Sequence, residues 1–133
     1  MSGCGQSDPF SSLANGPCTS SQAQEISDHI TNQIGFLSQK DFERAYSFAA
    51  DSFQKNISLK QFEEIINKEY LMLVENTGFS FTACEVMKSQ VLQQVLVNSG
   101  DEEYLFYYVL AIEDSRLGVL SATFQPAAKD VTI

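Results

Sequence analysis

The chain has 133 residues, 44% of them hydrophobic, which is enough to bury one core and too few for two. Its 17 acidic residues outnumber 8 scattered basic ones, giving a net charge of −9. That balance argues against nucleic acid as a partner, because phosphate binding needs clustered Lys and Arg. No run of about 18 apolar residues, the length a membrane-spanning helix needs, occurs in it.

Residues 1–21 read as a flexible arm. Ser, Gly, Gln, Asp, Pro and Asn dominate it, with Phe10 and Leu13 as its sizeable apolar groups, too little to order itself by burial. Its opening, Ser2-Gly3-Cys4-Gly5, resembles the end of a bacterial lipobox, in which a small residue and a glycine precede the cysteine that becomes lipidated. That resemblance implies a lipid on Cys4, a removed signal peptide and a lipid-anchored, extracytoplasmic location in the cell envelope, with the arm as tether. The alternative is an ordinary cysteine in a cytoplasmic N-terminus.

The other two cysteines bear on the same choice. Cys18 lies where the arm meets the first helix and Cys84 lies in the first expected strand, so a bridge between them would pin the arm to the sheet in an oxidising compartment. Two separate thiols, with Cys84 a small buried residue, is the other reading. A single His and the lack of a CxxC pair speak against a metal site, and no cofactor motif occurs. Glu63, Glu64 and Glu69, and the acidic run at 101–103, read as solvated faces, with an acidic protein-binding patch as the alternative.

The first half of residues 22–126 has helical periodicity. Ser21 and Gln24 have the spacing of a capping box ahead of Ile26, Ile30, Ile34 and Leu37, which line one helix face. After a break at 38–41, Phe42, Ala45, Tyr46, Ala49 and Phe53 predict a second amphipathic helix. Ser58 with Gln61 is another capping box, opening a third helix with Phe62, Ile65, Ile66 and Tyr70 inward.

Near Tyr70 the period changes from that of a helix to that of a strand. Residues 79–86 alternate Phe79, Phe81 and Ala83 against Ser80, Thr82 and Cys84. Residues 87–97 continue with Val91, Val95 and Val97 on one side and Leu92 and Leu96 on the other. A turn at 98–101 leads to 103–112, apolar on both faces as a central strand is. A second turn at 114–118 leads to a last strand at 119–124 before Pro126, and residues 127–133 form a tail. The order predicts an α+β domain: three N-terminal helices on a curved antiparallel sheet of about four strands.

The stretch 30–124 resembles a bacterial domain-of-unknown-function family, number 4864. It does so through the helix ending near Leu37, the segment Asp41-Phe42-Glu43-Arg44-Ala45-Tyr46-Ser47-Phe48-Ala49, then Ser58-Leu59-Lys60-Gln61-Phe62 and the tyrosine at 70. The resemblance implies a cystatin-like or nuclear-transport-factor-2-like cone, and it brings no catalytic residues with it. The chain departs from the family in lacking a Trp near Leu117.

Three functional readings follow. A non-catalytic binding or interaction domain would hold a small apolar ligand or an unknown protein partner, or pair with a second copy, through an aromatic-lined sheet. For the ligand, Tyr70, Tyr108 and His29 are the candidate polar groups of the pocket. An enzyme of the ketosteroid isomerase-like or dehydratase-like class would use Asp, His and Tyr in an apolar pocket, yet Asp28 and His29 are adjacent on a helix and diverge by about 100°. A cytoplasmic small-molecule-binding protein is the third. No GxSxG, phosphate loop or HExxH motif is present.

Overall fold

The computed structural model describes residues 9–11 and 13–127. In chain order they form β1 (Gly16–Pro17), α1 (Ser20–Ser38), α2 (Phe42–Tyr46), α3 (Asp51–Asn56), α4 (Leu59–Glu69), α5 (Leu71–Val74), β2 (Gly78–Met87), β3 (Gln90–Ser99), β4 (Glu102–Glu113) and β5 (Arg116–Pro126). The strands make one antiparallel sheet in the order β1-β2-β3-β4-β5, with the helices against one face.

The α+β order is as the periodicities predict, but among the described residues there are five helices and five strands rather than three and about four. The α1 stripe Ile26, Ile30, Ile34 and Leu37 is wholly buried and meets Val91, Val95, Val97 and Phe106 of the sheet. Its cap, however, is the box of Thr19 with Gln22 and not that of Ser21 with Gln24. The two patterns differ only by a two-residue offset. Cys18, bonded to Cys84 through sulfur and through its backbone N–H, fixes the chain just before Thr19, so the earlier box closes first along the chain.

The helix predicted through 42–53 is interrupted at residues 47–50. There the Phe48 carbonyl accepts from the Val119 N–H and the Ala50 N–H donates to the Val119 carbonyl, a parallel bridge onto the edge of β5. Backbone groups engaged with a strand cannot also serve a helix. Gly118 makes the approach feasible, since a Cβ there would lie 2.5 Å from Ala50 Cα. The third helix starts at the Ser58–Gln61 box as expected, and Tyr70 then separates it from the one-turn α5.

β1 lies in the segment read as arm: Gly16 and Pro17 pair with Val86 and Glu85 of β2. The cross-link supplies the order that this composition lacks. The expected continuation from 86 into 87–97 is instead a tight hairpin, with Lys88 and Ser89 both at positive φ, as are Asp114 and Ser115 between β4 and β5. Two extra residues bend the sheet, one in β2 between Phe81 and Cys84 and one in β5 opposite the Val109–Leu110 step. Gln93, buried opposite Cys84, donates to the Ala83 carbonyl that the first bulge displaces.

Candidate functional site

Between the helices and the β4–β5 half of the sheet lies a cavity of about 260 Å³. Its wall is mostly aliphatic and aromatic: Leu37 from α1, Phe53 from α3, Phe62 and Ile66 from α4, Leu73 from α5, and Val119 and Ala122 from β5. The elements leave this space because residues 47–50 and α3 cross over β5 while α4 approaches from the other end. Small groups, Ala49 and Ala122, stand where larger ones would fill it.

Three polar side chains enter this wall. Gln33, buried on α1, donates through Nε2 to the Ala45 carbonyl at 3.1 Å. The Tyr70 hydroxyl, at the end of α4, donates to the carbonyl of Ala122 on β5. Tyr108, on β4, is 1% exposed, and its hydroxyl has no hydrogen-bond partner among the described residues. Burial pushes the phenols of both tyrosines above their ordinary range, aided by Glu69 at Tyr70 and by Tyr70 at Tyr108. Both therefore remain O–H donors at neutral pH. Ser121 and Thr123 also border the cavity, but their register opposite Val109 and Tyr107 turns their side chains to the far face of the sheet.

Tyr70 and Tyr108, expected as pocket groups, thus border one cavity, and His29 is not among its lining residues. His29 packs edge-on against Phe48, and its Nε2 lies 2.8 Å from the Phe48 carbonyl, to which the Nε2–H tautomer donates. Burial lowers its pKa, opposed by that hydrogen bond and by Glu25. Asp28 instead accepts from Gln24 at 2.9 Å. Gln33 went unnoticed in the sequence because a glutamine within a helix reads as solvated. The signal was its spacing, three residues after Ile30 and four before Leu37, which sets it on the buried stripe.

Cys18 and Cys84 form a disulfide with Cα atoms 5.5 Å apart, at the β1–β2 edge of the sheet and away from the cavity lining. Cys4 lies outside the described residues. The far face of the sheet has a broad groove of about 450 Å³ whose lining includes Leu92, Gln94, Tyr107 and Val109. Thr82 to Gln94 and Gln125 to Tyr107 hydrogen bonds run across that face. No helix of the described residues is long and apolar enough to cross a membrane, and no cluster of metal-ligating side chains is present among them.

No curated protein and no solved structure matches this chain. A family model does: the family described as Domain of unknown function (DUF4864) matches residues 19–126, which takes in α1 to α5, the cavity and β2 to β5. The chain belongs to this family of domains of unknown function.

Proposed function

We propose that this domain is a binding module that takes a small, largely apolar molecule into the cavity beneath α1, α4 and β5. The observation that carries the reading is the cavity itself, about 260 Å³ within a mostly aliphatic and aromatic wall that no described side chain fills. No His, Asp or Glu lines the cavity among the described residues, which favours binding over acid–base catalysis of the ketosteroid isomerase-like or dehydratase-like kind. Helices on one face of a bulged antiparallel sheet support a cystatin-like or nuclear-transport-factor-2-like cone as the frame.

The same proposal sets the protein outside the cytoplasm, in the cell envelope. The Cys18–Cys84 disulfide supports this, because such bonds persist in oxidising compartments, and a lipid on Cys4 would hold the domain at the membrane. Intact mass of the native protein before and after reduction reads both features at once.

Binding is tested with N-phenyl-1-naphthylamine, a neutral dye that brightens in apolar surroundings. Saturable binding at one dye per chain, abolished by Ala122→Leu, is the expected result. Binding that does not saturate, or that ignores the filled cavity, would overturn the reading.

A second reading rests on the far face of the sheet, where Leu92, Leu96, Leu105, Tyr107 and Val109 are only half-buried and no described element covers them. That face suits a second copy of the chain. Sedimentation velocity of wild type and of Leu105→Lys is its measurement, with a dimer lost in the variant as the expected outcome.

A further inference from the structure

We infer that the molecule this cavity accepts is uncharged and carries a hydroxyl or amide group that donates a hydrogen bond to Gln33 Oε1. The inference rests on the cavity reading above and deepens it, naming the polar group of the ligand and the side chain that meets it.

Gln33 stands on the buried stripe of α1, 4% exposed, and shares the cavity lining with Leu37, Ala49 and Phe53. The partner of its amide fixes which way it is turned. The Ala45 carbonyl can only accept, so the amide nitrogen faces it at 3.1 Å and Oε1 lies on the other branch. That oxygen accepts no hydrogen bond among the described residues, and it is not sealed within the protein as the unpaired hydroxyls of Ser52 and Tyr108 are. The second N–H of the same amide is uncommitted as well.

An accessible amide oxygen in an apolar wall decides what can fill the space beside it. A molecule that enters excludes water from Oε1, and unless it brings a donor it leaves a buried acceptor unpaired. A hydrocarbon, an ether or a ketone does this. A hydroxyl donates to Oε1 and can still accept from the free N–H, and an amide offers the same pair of groups. Tyr70 supplies no proton in their place, because its O–H already serves the Ala122 carbonyl and its oxygen has only lone pairs left to offer.

The charge of the wall sets the other half of the inference. No Lys, Arg, His, Asp or Glu lines the cavity among the described residues. A carboxylate drawn into it would lose its hydration, gain no counter-ion and set its own oxygens against Oε1. A cation would find no carboxylate to pair with. A neutral molecule enters without either cost.

The test is displacement of N-phenyl-1-naphthylamine at pH 7.5 by three molecules of matched length, 2-octanol, 2-octanone and octanoate, on wild type and on Gln33→Met. On wild type, 2-octanol binds roughly three- to tenfold more tightly than 2-octanone, and octanoate is weaker than either by at least about tenfold. On Gln33→Met the alcohol and the ketone bind alike. The comparison is made within each protein, so a change in dye affinity cancels. The variant leaves no orphan behind, since the Ala45 carbonyl also accepts from the Phe48 N–H at 3.1 Å. A ketone as tight as the alcohol on wild type, an alcohol preference that survives Gln33→Met, or octanoate matching 2-octanol would overturn the inference and leave the cavity reading in place. Failure of the dye to bind saturably would remove the cavity reading and this inference with it. The comparison on wild type does not depend on the variant folding.

Discussion

The Tyr70 hydroxyl donates to the Ala122 carbonyl across 52 residues of sequence, joining the end of α4 to the outermost strand of the sheet. Apart from the short bridge at Val119, β5 is paired with β4 alone among the described strands, and the Tyr70 bond engages a further backbone carbonyl of this edge strand. Tyr70→Phe is expected to lower stability by about 1 kcal/mol, as read by urea denaturation. A value near zero would mean that water replaces the phenol without loss.

Tyr108→Phe has the opposite expected sign. Without ligand, the native hydroxyl is enclosed and unpaired, so its removal raises stability by about 1 kcal/mol in the same assay. Destabilisation instead would show that the hydroxyl has a partner in solution.

Gly118 tolerates no side chain. Its missing Cβ would sit 2.5 Å from Ala50 Cα and 2.8 Å from Ala50 N, and both are backbone atoms that cannot swing away. Gly118→Ala therefore costs about 1–3 kcal/mol and separates residues 47–50 from β5, measurable as a lowered urea midpoint and faster amide exchange at Ala50.

The disulfide closes a sequence separation of 66 residues. Restricting the unfolded chain by a loop of that size stabilises by roughly 4 kcal/mol in the chain-entropy model. Cys18→Ser with Cys84→Ser should lose about that much, and wild type under reductant should follow the double variant.

His29 gives the fold a pH dependence. Its folded pKa is lowered, chiefly by burial, so the unfolded chain binds the proton more readily. Stability is then fully present above the ordinary His range near 6.5 and declines as pH falls from there towards the folded pKa. His29→Gln should show a shallower decline between pH 7 and pH 5 in denaturation midpoints.

What the sequence revealed follows from how each element is encoded. The isoleucine stripe of α1 and the alternation in β3 are local patterns, repeated often enough to specify one face each. The interruption at 47–50 is not local: Phe48 and Ala49 keep helical spacing, and only the backbone of Val119, about seventy residues later, draws them out. The hairpin at Lys88 and Ser89 lacks the usual Gly or Asn, so nothing in its composition marked it. Of the cavity, Tyr70 was legible through its helical spacing after Phe62 and Ile66, whereas Tyr108 stands in a run apolar on both faces, whose pattern does not say which face it takes. Gln33 was not, because its partner is the Ala45 carbonyl, a group that every residue type carries.

The bond between Cys18 and Cys84 also decides how the domain bears load. A pull on the chain ahead of Cys18 divides there, and the disulfide branch leads straight into the C-terminal half of β2, a strand paired with β3. α1 begins only two residues later, so it is shielded from tension that would otherwise unwind its first turn. α1 and α4 both lie inside the loop that the bond closes, so a pull on the chain ahead of Cys18 passes them by on its covalent path towards the C-terminus, whereas β5 lies beyond the loop.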